Sequence, residues 1–97
     1  MFRHVVLLQW SAGSTADQHE AIKTALKGLP AILPELKSYV MGDDAGISEG
    51  NFSLGIVADF DDIEGYLAYR DNPTHQQIIR EQIAPILAAR AAVQYDF

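Results

Sequence analysis

Phe2-Arg3-His4-Val5-Val6-Leu7-Leu8-Gln9-Trp10 is the stretch on which the fold turns. Read with a period of two, Phe2, His4, Val6, Leu8 and Trp10 share one face, and Arg3, Val5, Leu7 and Gln9 share the other. Apolar side chains stand on both faces, so the pattern predicts a strand covered on both sides. One cover has to come from helices of the same chain. A second subunit is able to supply the other.

Downstream of this strand, Ser14-Thr15-Ala16-Asp17 reads as a capping box with Ser14 as the cap. Ile22, Leu26, Leu29 and Leu33 then form an apolar stripe, and Gly28 and Pro30 close the regular helix near residue 28. Leu36 to Met41 reads as a second strand and Phe52 to Phe60 as a third, with a polar, Gly-rich loop at 42–51 between them. The acids of that loop do not follow calcium-loop spacing. Asp61-Asp62-Ile63-Glu64 reads as a second capping box with Asp61 as the cap, opening a short helix to about Arg70. Asn72-Pro73 starts another helix, with Ile79, Ile83, Ile86 and Leu87 facing inward until Pro85 kinks or ends it. Ala92 to Phe97 reads as the last strand. The order of strand, helix, strand, strand, helices and strand predicts an α+β ferredoxin-like sandwich with a four-stranded antiparallel sheet, a single domain over residues 1–97.

Composition narrows the function. The chain has 97 residues, 48% apolar, and a formal net charge of −6. Nucleic acids and anionic membranes are therefore poor partners, and no Lys/Arg cluster argues otherwise. There is no cysteine, so thiol nucleophiles, disulfides and thiolate metal sites are ruled out. Val5-Val6-Leu7-Leu8 is too short for a signal peptide or a membrane span, and the reading is a cytoplasmic chain. No Gly-rich phosphate loop, nucleophile elbow or ligand-spaced cluster is present, so no metal or cofactor is expected.

The chemistry-bearing residues gather at the junction Tyr66-Leu67-Ala68-Tyr69-Arg70-Asp71-Asn72-Pro73-Thr74-His75. With Asn72 as the cap, His75 falls in the first helical turn, where the helix dipole disfavours a positive imidazole. A corner at Asp71-Asn72 is able to bring Tyr69 and His75 together. In a ferredoxin-like sheet the first and last strands are antiparallel neighbours, which predicts His4 beside Asp96. His4, Val6, Leu8 and Trp10, joined by Leu54, Ile56 and Ala58, would then line a mostly apolar cavity under the helices, the usual form of a small-molecule site. His19 is expected on an exposed helix face. The competing reading makes Tyr69 a half-buried aromatic, His4 a satisfied core histidine and the cavity a filled core.

Several short pieces, in order along nearly the whole chain, carry a family resemblance. They are Arg3-His4-Val5-Val6-Leu7, Leu29-Pro30 with Pro34, Gly42, Ala58-Asp59-Phe60, Tyr69 with Asn72-Pro73-Thr74-His75, and Val93-Gln94-Tyr95-Asp96-Phe97. Together they resemble the stress-responsive dimeric α/β-barrel (Dabb) family. The resemblance implies a ferredoxin-like protomer whose sheet packs on that of a second copy, giving a homodimeric barrel. One characterised plant relative, olivetolic acid cyclase, folds a linear tetraketide by a cofactor-free intramolecular aldol condensation. Its catalytic tyrosine and histidine correspond to Tyr69 and His75, and its pocket histidine and aspartate to His4 and Asp96. The family often has His-Pro-x-His where this chain has Asn72-Pro73-Thr74-His75. The resemblance thus implies a small-molecule-binding dimer of cyclase-like chemistry, with a non-enzymatic protective dimer and a cofactor-free monooxygenase as alternatives.

Overall fold

The computed structural model describes residues 1–97. Strand β1 (Phe2–Trp10) is followed by helix α1 (Ala16–Lys27), a 3₁₀ turn (Leu29–Ala31), strands β2 (Ser38–Asp43) and β3 (Leu54–Phe60), helix α2 (Ile63–Asp71) and helix α3 (Pro73–Ile78). A π-helical turn (Ile79–Ile83) and a 3₁₀ turn (Ala84–Ile86) then lead into strand β4 (Leu87–Asp96). The four strands form one sheet in the order β2-β3-β1-β4, every pair antiparallel. This is the ferredoxin-like arrangement that the element order predicts.

The alternation of β1 separates its two faces as expected. Phe2, His4, Val6, Leu8 and Trp10 are buried against the helices with Leu54, Ile56, Ala58 and Phe60 of β3 and Ile22 and Leu26 of α1. Gly65 lets α2 sit close on the sheet, since a Cβ there would meet the Phe60 Cβ at 3.3 Å. The opposite face of the sheet carries Leu7, Val40, Val93 and Tyr95, all exposed. On that face Arg3 stands opposite Asp59 in the β1–β3 ladder and holds its carboxylate at 2.7 and 2.9 Å. The Arg3 guanidinium also lies 4.3 Å from the centre of the Phe97 ring, stacked over its face. No helix is long and apolar enough to cross a membrane.

Several boundaries differ from the sequence reading, each for a local reason. The cap of α1 is Thr15 rather than Ser14: its hydroxyl accepts from Gln18 N at 3.2 Å, and the Gln18 side chain accepts from Thr15 N at 2.8 Å. Ser14 instead donates to Ser11 O at 2.6 Å. The cap of α2 is Asp62 rather than Asp61, accepting from Gly65 N at 3.0 Å. In both cases two adjacent residues have capping side chains, and the one that meets the helix in extended backbone takes the role. Strand β2 begins at Ser38 rather than Leu36, because Leu36 closes a turn onto Leu33. Strand β3 begins at Leu54 rather than Phe52.

Strand β4 is longer than expected, starting at Leu87 rather than Ala92. Leu87-Ala88-Ala89-Arg90-Ala91 consists of good helix formers. Pairing with β1 along its full length overrides that preference. The regular α-helix stops at Ile78, earlier than expected, and the chain continues as the π turn and then the 3₁₀ turn that contains Pro85. Pro85 has no N–H and its ring crowds the carbonyl of Glu81, and the chain before it widens so that Ala84 N bonds Ile79 O.

Candidate functional site

Asn72 builds the corner of the site. Its side-chain oxygen accepts from both Thr74 N at 2.9 Å and His75 N at 3.1 Å, with Pro73 at the first helical position. This turns the chain sharply from α2 into α3. The Tyr69 and His75 rings meet across the corner with centroids 4.1 Å apart and planes inclined by 31°.

Both rings border a cavity of about 210 Å³ between the sheet and the helices. His4, Val6, Leu8 and Ile56 form its sheet wall, Ile79 and Ile83 of the π turn cover it, and Tyr66, Arg70, Gln76 and Arg90 stand at its polar edge. Of the residues expected there, His4, Val6, Leu8, Ile56, Tyr69 and His75 line it. Trp10, Leu54, Ala58 and Asp96 do not. Trp10 lies at the far end of β1, where it stacks on His19 with ring centroids 5.3 Å apart. His19 is consequently half-buried rather than exposed, and its Nε2 lies 2.7 Å from Ser14 Oγ. Asp96 stands opposite Phe2, whereas the residue opposite His4 is Gln94. The expected His4–Asp96 pair is therefore a His4–Gln94 pair, with Gln94 Nε2 3.0 Å from His4 Nδ1. A ladder register cannot be read from one strand, and here it differs by two residues, leaving the same face in place.

The two imidazoles are held in complementary tautomers. His75 Nδ1 faces the carbonyl oxygen of Arg70 at 3.2 Å, so Nδ1 carries the proton and Nε2 keeps its lone pair. His4 Nδ1 accepts from the Gln94 amide, so in its neutral form His4 carries the proton on Nε2. One ring offers an acceptor and the other a donor.

Both rings are neutral near pH 7. Burial pushes His4 down to about 4, helped by the positive charge of Arg90. Burial also lowers His75, against an upward pull from the carbonyl of Arg70. Desolvation is the leading cause of the His75 shift. Burial raises Tyr69 and Tyr39, keeping both phenols protonated. Their hydroxyls lie 3.0 Å apart.

Sequence reasoning missed Tyr66, Tyr39, Gln94 and Arg90. Tyr66 had a signal: it precedes Tyr69 by three residues, so the two share a helix face, and its ring lies 5.0 Å from that of His4. Tyr39, Gln94 and Arg90 reach the site only through strand pairing. No three His, Cys, Asp or Glu side chains converge in a way that could hold a metal ion.

Residues 2–97 match the Stress responsive A/B Barrel Domain (Dabb). No curated protein matches the chain significantly. Among solved structures, a dimeric ferredoxin-like protein of unknown function from Thermobifida fusca is 45% identical, with a TM-score of 0.90 over 99% of this chain and 90% of that one. A hydroxynitrile lyase from Passiflora edulis shares the fold at 20% identity, with a TM-score of 0.85 over 97% of this chain and 90% of that one. A Dabb family protein from Mesorhizobium loti does so at 17% identity, with a TM-score of 0.82 over 99% of this chain and 95% of that one. With the match running over residues 2–97, nearly its whole length, this chain belongs to the stress-responsive A/B barrel family.

Proposed function

We propose that the protein is a homodimer whose protomers each bind a small carbonyl compound, and that it catalyses proton transfer at the carbon next to the carbonyl without a cofactor, as a polyketide cyclase-like enzyme. The observation that carries this reading is the pair of neutral histidines with opposite tautomers on one cavity. His75 Nε2 serves as the general base. The His4 Nε2–H and the Tyr69 hydroxyl donate to the oxygen on which negative charge develops. The resulting enolate is the nucleophile of an intramolecular aldol closure. The proton held on His75 is then returned to the new alkoxide.

Dimerisation rests on the exposed apolar face of the sheet, with Leu7, Val40, Val93 and Tyr95, and on the Thermobifida fusca relative being described as dimeric. Packing that face on its counterpart would cover the second side of β1.

A second reading, a binding dimer with no catalytic duty, is favoured by one observation: the Tyr69 hydroxyl already bonds Tyr39. The two readings separate in D₂O. β-Dicarbonyl compounds incubated with the protein and followed by NMR should exchange their α-protons faster, and His75→Ala should abolish the acceleration. Exchange at the buffer rate with wild-type protein, in the presence of measurable binding, would leave only the binding dimer.

A further inference from the structure

Arg90 has no place in the proton-transfer scheme, yet it lines the cavity. It stands opposite Leu8 in the β1–β4 ladder, so it shares the helix-facing side of the sheet with His4, Val6 and Leu8. The chain contains seven Lys and Arg residues in an excess of acid, with a net charge of −6. Four of these cations, Arg3, Lys23, Lys37 and Arg70, are ion-paired within the protomer. Arg90 is not, and of the three that remain it alone borders the cavity. The other guanidinium there, Arg70, is held by Asp71 at 2.8 and 3.1 Å.

We propose that the pocket selects small monoanionic acids, with the Arg90 guanidinium as the counterion for a carboxylate at the mouth and the apolar body of the ligand against Val6, Leu8, Ile56, Ile79 and Ile83. A planar guanidinium fork matches a carboxylate with two parallel hydrogen bonds. Size limits the body of the ligand. The cavity holds about 210 Å³, and an apolar cavity of about 150 Å³ takes up benzene. One ring with a few substituents, or a chain of similar bulk, therefore fits. Strand β4 is exposed on this side, so the carboxylate stays at the rim while the body is buried. The electrostatics agree, because the charge of Arg90 already disfavours protonation of His4 and of Tyr69. The inference rests on the pocket reading above but not on its catalytic step.

The test uses matched pairs that differ in charge and little else: benzoate with benzamide, and phenylacetate with phenylacetamide. Each is titrated into the full-length protein by calorimetry or NMR. The acids should bind roughly 10- to 100-fold more tightly than the amides, as expected of a charge-assisted contact. Arg90→Gln should erase that preference while leaving amide affinity and melting temperature in place, and Arg90→Lys should restore part of it. Equal affinity of acid and amide for wild-type protein, or an acid preference that survives Arg90→Gln, overturns the assignment of Arg90 and leaves the pocket standing. Failure of every acid and every amide to bind overturns both the assignment and the pocket.

Discussion

His75 lies over Tyr69 with ring centroids 4.1 Å apart, while its Nδ1 is tied to the carbonyl of Arg70, the residue that follows Tyr69. The end of α2 thereby fixes both the position and the tautomer of a residue at the start of α3. A histidine whose outer nitrogen is anchored to backbone is a positioned acceptor, the arrangement a general base requires.

If that pair is catalytic, its removal should change turnover far more than stability. Tyr69→Phe deletes a hydroxyl and little volume, and His75→Ala removes a ring bordering a cavity. Turnover should fall by about 10²- to 10⁴-fold for His75→Ala. The loss on Tyr69→Phe should be smaller, because His4 supplies a second donor. A clear drop in melting temperature with unchanged α-proton exchange would identify the pair as structural.

Asn72 should behave as a cap. Asn72→Ala leaves the N–H groups of Thr74 and His75 without their shared acceptor. The expected cost is about 1 kcal/mol in chemical denaturation. Because the same cap aims His75, α-proton exchange should fall with it. Asn72→Asp, which keeps the acceptor, should retain the stability.

Acid lability should follow the histidines. His4 is held near 4 rather than its ordinary 6.5, so the unfolded chain binds the proton first. Its neutral form favours folding fully above pH 6.5, and this contribution is lost as pH falls from 6.5 to 4. The size is about 3 kcal/mol by linkage. His75, lowered in the same direction, adds to the loss. Denaturant midpoints measured across this window should fall steadily for wild-type protein and less steeply for His4→Gln.

Dimerisation can be tested on the outer face of the sheet. Leu7 lies outside the protomer's own core, 41% exposed. Leu7→Asp should therefore give a folded monomer, because only the paired state would bury the carboxylate. Sedimentation of both proteins at micromolar concentration reads the difference, and a monomeric wild type would refute the dimer.

The readable parts of this protein were those with local causes. The two-faced pattern of β1 needs only the alternation of a strand, and the Asn72-Pro73 corner needs only a cap and a ring without an N–H. Together they carry His4, Tyr69 and His75 to one cavity. Where two neighbours had equal chemistry, as at Ser14-Thr15 and Asp61-Asp62, the boundary moved by one residue.

By itself the sequence determined the order of elements, the apolar face of each, and the residue pair at the helix junction, because periodicity and capping act within a few residues. Only the tertiary structure decided that Gln94 rather than Asp96 meets His4, that Arg90 comes to the cavity, and that Trp10 stacks on His19 away from it. These follow from ladder register and from how far β4 extends. Both are set by pairing between strands more than seventy residues apart, with β4 running Leu87–Asp96 beside Phe2–Trp10. The downward shift of His75 is likewise a property of the packed interior, since burial is its leading cause.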